Sequence, residues 1–178
     1  MIPDSSFVIR HSSFAFVALG SNLGDSRTTI LAAIDRLAKL APGPISQSSL
    51  WQSSPVNCPP GSPSFINAVV RMPVHAGETP ESLLEKLQAI EKDYGRRQKQ
   101  ALNEPRPLDL DLIAFGSETR QLAALVLPHP RAHLRRFVLE PLNEIAPDLI
   151  LPGQIHNVRE LLAHLHTDEV LQRLHASP

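Results

Sequence analysis

The sequence of 178 residues is poor in cysteine, in aromatic side chains and in net charge. Its single cysteine, Cys58, excludes a disulfide within the chain and is typical of a reducing compartment. A net charge of −1 argues against a polyelectrolyte partner such as nucleic acid. The sequence lacks an apolar run of roughly 18 residues, so it predicts no membrane span. We therefore expect a cytoplasmic domain that is large enough to bury a core.

The chain divides into one domain with two short ends. Residues 1–12 lack the continuous apolar segment of a secretory signal, and we expect them to be a disordered extension. The domain is expected over residues 13–166, followed by a C-terminal helix or tail over residues 167–178. Apolar patterns and turn residues predict these elements: strands at Phe14–Leu19, Ile45–Trp51, Phe65–Met72 and Pro105–Gly116, and helices at about 26–41, 80–94, 157–165 and 168–174. Gly20–Asp25 is interpreted as a plain turn, and Glu140–Pro152 receives no element.

Two aspartates mark the most informative stretch of the sequence. Asp109 and Asp111 interrupt an apolar strand at alternating positions, so both carboxylates leave the same face. Two like charges about 6 to 7 Å apart are unfavourable in a buried strand unless a cation lies between them. The alternative is an edge strand whose aspartates face solvent or pair with Arg96 and Arg106. The apolar flanks and the preceding Pro–Arg pair favour a divalent-metal site.

Two long loops and a histidine segment complete the set of candidate functional segments. Ser53–Ser64 contains four prolines and a glycine, which indicates a functional loop or a disordered one. Gly95–Arg106 is the most basic segment, and arginine side chains beside metal-binding acids suggest a polyphosphate ligand, with a solvated loop as the alternative. His129 lies between two prolines and is a candidate phosphate donor. A zinc site with His133 is the alternative, although no cysteine or acid stands near it.

Several motifs in this order resemble the 6-hydroxymethyl-7,8-dihydropterin pyrophosphokinase family over about Phe14 to Leu165. They are Gly20–Gly24, Trp51–Pro55, Phe65–Ala68, Gly95–Arg96, Pro105–Asp111, Pro128–Pro130 and Arg135–Leu139. The resemblance implies an α+β, ferredoxin-like sandwich in which helices pack on an antiparallel sheet and long loops surround the active site. It also implies magnesium-dependent transfer of pyrophosphate from ATP to the hydroxymethyl group of a reduced pterin, with release of AMP, in folate biosynthesis.

The resemblance also assigns roles to individual residues. Asp109 and Asp111 would hold two magnesium ions and would be catalytic together with Arg96 and Arg106. The implied ATP contacts are Gln88, Glu91, Arg96, Arg106, Leu112, His129 and Arg135. The implied pterin contacts are Ser53, Ser54, Phe65, Asn67 and Phe137. Gln98 stands where many members have a second arginine, and Arg97 or Lys99 would then take its place. We expect a monomer that binds these two small molecules and neither nucleic acid nor a membrane.

Two other functions use the same sequence features. A non-catalytic ferredoxin-like module could bind RNA or a partner through its sheet, but such a binder needs exposed aromatics and a basic face. The chain has only six phenylalanines, one tryptophan and one tyrosine. A two-metal phosphohydrolase could be built on Asp109 and Asp111. Formation of AMP rather than ADP or phosphate distinguishes the pyrophosphokinase from the phosphohydrolase.

Overall fold

The computed structural model describes residues 14–55, 60–95 and 105–175. The elements are β1 Phe14–Ser21, α1 Ser26–Leu40, β2 Ser46–Gln47, β3 Leu50–Ser53, β4 Phe65–Pro73, α2 Pro80–Asp93, β5 Asp109–Phe115, β6 Arg120–Gln121, β7 Val126–Leu127, α3 Arg136–Ile145, α4 Val158–His164 and β8 Leu171–Leu174. A short 3-10 helix spans Ala132–Leu134. In this described part of the chain, no helix has the length and apolarity that a membrane crossing requires.

An antiparallel sheet separates two apolar cores. Its strand order is β5–β1–β4–β3–β8, with β2 paired to β4. Alternation along β1 sends Val17 and Leu19 into a core with α1 and α2, and Phe16 into a second core with α3 and α4. Helices thus cover both faces of the sheet, and the expected α+β, ferredoxin-like sandwich is confirmed.

The first two helices begin where the sequence predicts. The Asp25 carboxylate accepts the Thr28 N–H at 3.1 Å and caps α1. Thr79 and Ser82 form a reciprocal capping box at the start of α2, where Pro80 is the first residue. Gly95, with φ of 84°, follows the end of α2.

Three expectations about elements are wrong. The single strand at Ile45–Trp51 is two strands, because Ser48 both donates its N–H to Val69 O and accepts the Val69 N–H with its hydroxyl. The segment Glu140–Pro152 is not without structure, since α3 runs to Ile145 and contains Pro141. The expected helix at 168–174 is instead β8, which pairs with β3 and extends the sheet beyond residue 166. Pairing with a distant strand satisfies its backbone, and apolar spacing alone does not reveal such pairing.

β5 lies at the edge of the sheet, as in the alternative that the sequence disfavoured. Two of its outward backbone groups nevertheless have partners. The Leu110 N–H donates to the Glu91 carboxylate of α2 at 2.7 Å, and Ile113 O accepts the His129 N–H at 2.9 Å. The edge is therefore covered by α2 and by the His129 segment, which prevents pairing with another chain along those positions.

Candidate active site

The floor of the candidate site is a row of three residues across the sheet. Gly20 of β1 pairs with Asn67 of β4 on one side and with Asp109 of β5 on the other. A Cβ atom at position 20 would lie 3.6 Å from Asn67 Oδ1, 3.9 Å from the Phe65 ring and 4.0 Å from Asp109 Cβ. Because glycine has no side chain, Asn67 and Asp109 face each other without an intervening group. A residue predicted to bind a pterin therefore lies beside one predicted to bind metal.

Both aspartates lie on the sheet face that carries α3 and α4. Their neighbours Leu110 and Leu112 point into the opposite core, where each is almost completely buried. The exposed fraction of the side chain is 22% for Asp109 and 37% for Asp111, so both carboxylates are accessible. The expectation that both leave one face is confirmed.

Asp109 is paired with an arginine that a buried asparagine positions. Arg106 Nη1 lies 2.9 Å from Asp109 Oδ2. Asn22 accepts the Arg106 N–H with Oδ1 at 2.9 Å and donates its own N–H to Arg106 O at 3.2 Å. Its Nδ2 donates to Pro63 O at 3.3 Å. Asn22 is 2% exposed. Its three hydrogen bonds connect the turn after β1 to the segments that precede β4 and β5.

Asp111 faces two cationic or polar donors from the segment before α3. Arg135 Nη1 lies 3.7 Å and His129 Nε2 lies 3.9 Å from Asp111 Oδ2. The Arg131 N–H donates to His129 Nδ1 at 3.3 Å, so the proton of the neutral ring is on Nε2, the atom that faces Asp111. Burial, then the charges of Arg135 and Arg131, lower the pKa of His129 to about 4. His129 is therefore a neutral donor at pH 7.

The other end of the row is a buried polar pair. Asn67 Nδ2 donates to Ser53 Oγ at 2.8 Å, and the two residues are 4% and 3% exposed. This contact supplies a partner that a buried amide requires. The Ser54 N–H donates to Val170 O at 3.1 Å, so only the carbonyl and hydroxyl of Ser54 remain to serve a ligand in this conformation.

The two phenylalanines predicted to bind the pterin lie at the start of β4 and in the first turn of α3. Phe65 is half-buried next to Gly20, at the start of β4. Phe137 is half-buried in the first turn of α3, and the guanidinium carbon of Arg135 lies 5.3 Å from its ring centroid. Arg135 thus contacts a residue predicted to bind the pterin as well as the carboxylate of Asp111.

The predicted ATP residues on α2 and β5 differ in accessibility. Glu91 is 5% exposed, and its carboxylate is engaged by the Leu110 N–H, whereas Gln88, on the same helix, is exposed. Leu112 is 3% exposed in the core with α1 and α2, so its side chain offers little surface to a base. Arg96 and the basic-loop residues Arg97, Gln98 and Lys99 lie outside the described residues.

The sequence analysis assigns no role in the site to two of the residues that shape it. Gly20 and Asn22 belong to a family motif there, but their segment is interpreted as a plain turn. The signal that could have identified Asn22 is its position, because a buried asparagine beside a glycine turn must find partners in other segments. The partners themselves, Arg106 and Pro63, are distant in sequence and become visible only in the folded chain.

The carboxylates of Asp109 and Asp111 suit magnesium better than a metal whose ligands all come from protein side chains. Within the described ranges, no group of three or more His, Cys, Asp or Glu side chains is arranged to hold a metal ion by itself. Magnesium generally takes one or two carboxylates and completes its shell with water and substrate phosphates. Asp109 and Asp111 supply that number of carboxylates next to three potential phosphate donors, Arg106, His129 and Arg135.

Comparison with known proteins agrees with this arrangement. Residues 16–147 match the family model described as 7,8-dihydro-6-hydroxymethylpterin-pyrophosphokinase. The chain is 41% identical over 149 residues to the 2-amino-4-hydroxy-6-hydroxymethyldihydropteridine pyrophosphokinase of Pseudomonas aeruginosa, covering 83% of this chain and 89% of the relative. It is 38% identical to the enzyme of the same name from Haemophilus influenzae, covering 78% of this chain and 85% of the relative.

Solved structures match the fold. An HPPK-DHPS structure in complex with substrates aligns with a TM-score of 0.66 at 13% identity, and the match covers 85% of this chain and 43% of that chain. The wild-type Plasmodium falciparum HPPK-DHPS with pteroate also gives a TM-score of 0.66, at 15% identity, and the match covers 85% of this chain and 42% of that one. The chain therefore spans less than half the length of these two-part proteins.

Proposed function

The chain belongs to the 7,8-dihydro-6-hydroxymethylpterin-pyrophosphokinase family, and on that premise we propose that it transfers pyrophosphate from ATP to 6-hydroxymethyl-7,8-dihydropterin in folate biosynthesis. AMP is the second product. The observation that carries this proposal is the Asn67–Gly20–Asp109 row, which brings the buried Asn67–Ser53 pair and the Phe65 ring next to Asp109 and its partner Arg106. A ring system and a polyphosphate can therefore lie side by side.

The triphosphate of ATP would lie over Asp109 and Asp111. Arg106 and Arg135 would donate to its phosphate oxygens, and His129 would donate through Nε2. The two arginines lie within 3.7 Å of the carboxylates, so an anionic ligand would compete with the aspartates for them. Arg96 is the further arginine that the family resemblance adds.

Magnesium fits the two carboxylates as ligands, and we propose two ions held by Asp109 and Asp111. When bound, magnesium would neutralise phosphate charge and polarise the β-phosphorus. The residues of the chain hold the nucleotide on the sheet face, and Arg106 and Arg135 stabilise the charge that develops on the transferred group.

The pterin would lie over Gly20, next to Asn67 and Ser53. Phe65 and Phe137 would contact its faces, while Asn67 and the Ser54 carbonyl would satisfy its polar edge. In the transfer step the hydroxymethyl oxygen forms a bond to the β-phosphorus as the bond from that phosphorus to the α-bridging oxygen breaks. The hydroxyl proton is released and AMP leaves with the bridging oxygen. Because the two substrates are held on either side of Gly20, the transfer between them becomes effectively unimolecular.

Product analysis tests this function directly. The protein is incubated with ATP, magnesium and the reduced pterin alcohol, and nucleotides are separated by anion exchange. We expect AMP and the pterin diphosphate in equal amounts, and no AMP without the pterin. ADP or free phosphate as the product would indicate a phosphohydrolase, and binding without turnover would indicate the non-catalytic module. The family match favours neither alternative.

We further propose that the protein is a cytoplasmic monomer. The single cysteine supports a reducing compartment. The covered edge at β5 and the shortness of the opposite edge strand, β8, support the monomeric state. Light scattering should give the chain mass of 19.6 kDa, and a doubled mass would contradict the proposal.

A further inference from the structure

The C-terminal segment Thr167–Leu174, here called the strap, joins β3 to α3 beside the candidate pterin site. It follows the residues that match the family model, which end at 147. Ser53 pairs with Leu171, and the Ser54 N–H donates to Val170 O at 3.1 Å. The strap therefore forms a direct neighbour of two residues predicted to bind the pterin.

The opposite side of the strap completes the first turn of α3. Helix α3 begins after Arg135, whose side chain makes no capping hydrogen bond. The Phe137 N–H instead donates to the Glu169 carboxylate at 3.2 Å. An acid at a helix N-terminus satisfies a backbone group that has no partner within the helix and interacts favourably with the helix dipole. Glu169 thus serves as the cap, although it lies 32 residues further along the chain.

Local contacts hold Glu169 in this position. Its own N–H donates to Thr167 Oγ1 at 3.2 Å. At the other end of the strap, Arg173 Nε lies 3.2 Å from Glu144 Oε1 and donates to Ser49 Oγ at 2.9 Å. The strap therefore contacts both ends of α3, and its pairing with β3 anchors it to the sheet.

We propose that Glu169 is a positioning residue for the pterin site. It holds the first turn of α3, and with it the Phe137 ring and the Arg135 guanidinium, at a fixed separation from Ser53, the last residue of β3, and from Ser54, which follows it. This inference rests on the proposed function, because Phe137 and Ser53 are pterin contacts only if that function holds. The strap then determines how closely the two walls of the pterin pocket approach.

The test compares three variants of the full-length protein. Glu169→Ala removes the acceptor, and Glu169→Gln keeps an acceptor oxygen without the charge. Gln172→Ala, an exposed change on β8, is the matched control. We expect Glu169→Ala to raise the KM for the pterin by about fivefold, the effect of losing one hydrogen bond, with kcat changed less than about twofold. Hydrogen exchange of the Phe137 amide should also accelerate, and Glu169→Gln should restore most of both properties.

The outcomes separate this inference from the proposed function. A pterin KM or a Phe137 exchange rate in Glu169→Ala equal to that of Gln172→Ala overturns the role of Glu169. So does a Glu169→Gln variant as impaired as Glu169→Ala. A parent protein that forms no AMP contradicts the proposed function instead, while the exchange measurement, made without substrate, still reports on the cap. Thermal melting of each variant identifies any loss that comes only from unfolding.

Discussion

At the scale of single residues, His129 links the electrostatics of the site to the stability of the fold. Its ring is neutral because burial, with Arg135 and Arg131 nearby, lowers its pKa from 6.5 to about 4. Between these two pH values the unfolded chain binds the extra proton and the folded chain does not. The free energy of unfolding therefore falls as the pH drops from 6.5 towards 4, and this loss is absent above pH 6.5.

We predict that His129→Gln flattens this pH dependence in the ligand-free protein. Urea unfolding at pH 7 and at pH 4.5 should show that the parent loses on the order of 2 kcal/mol more than the variant, after discounting for partial exposure. His166→Gln, at an exposed position, is the control and should follow the parent. If the parent and His129→Gln lose the same free energy of unfolding between pH 7 and pH 4.5, the folded chain does not disfavour the protonated ring.

Gly20 is the residue at which the absence of a side chain matters most. In Gly20→Ala the added methyl would lie 3.6 to 4.0 Å from Asn67, Phe65 and Asp109, at ordinary contact distances. We therefore expect the melting temperature to stay close to that of the parent. We also expect kcat/KM for the pterin to fall about tenfold or more, because the methyl group would displace a pterin that binds over Gly20 as proposed.

The matched control for this prediction is Gly43→Ala, between α1 and β2. Its added methyl would lie 3.9 Å from Pro73, away from the row. Equal kinetics for Gly20→Ala and Gly43→Ala would mean that the substrates do not meet over Gly20. Steady-state assays with varied pterin and saturating ATP make the comparison.

At the scale of elements, α2 protects the edge strand that carries the acids. The Glu91 carboxylate is buried and accepts the Leu110 N–H at 2.7 Å. Glu91→Ala should lower the free energy of unfolding by about 1 to 3 kcal/mol, because the buried N–H loses its partner. Glu91→Gln keeps an acceptor and should lose less. Chemical denaturation measures both, and equal losses would show that the acceptor oxygen is not the important feature.

Sequence patterns predicted elements well where the determining contacts are local. The caps at Asp25 and Thr79 lie within three residues of their partners, and α1 and α2 were expected within a residue or two. α3 was missed because Pro141 lies in its interior and its capping carboxylate comes from Glu169. β8 was predicted as a helix because Leu171 and Leu174 fit helical spacing, whereas its pairing with β3 is a long-range contact.

At the scale of the whole molecule, the site is an assembly of segments that are remote in sequence. Alternation in β5 was enough to predict that Asp109 and Asp111 share a face. The family resemblance names the residues around the two aspartates. It does not predict the hydrogen bonds that hold those surrounding residues in place. Asn22 to Arg106 spans 84 residues, and Glu169 to Phe137 spans 32. Such hydrogen bonds depend on the completed sheet, so they leave no periodic signal in the sequence.

The two aspartates of β5 lie outside both apolar cores of the sheet. The core with α1 and α2 receives Val17, Leu19, Leu110 and Leu112, while the acids project from the opposite face. Replacing a carboxylate there removes no buried apolar contact. Substitutions at Asp109 and Asp111 should therefore change the reaction much more than they change the fold.

The most direct measurement of the central claim is the rate of AMP formation in Asp109→Asn and Asp111→Asn, with Asp35→Asn on the exposed side of α1 as the control. The carboxylates are proposed to hold the ions that neutralise the phosphates, so each site variant should lose about a thousandfold in kcat while its melting temperature stays near that of the parent. The control should keep its rate. A folded Asp109→Asn or Asp111→Asn protein that produces AMP at the rate of Asp35→Asn would contradict the account.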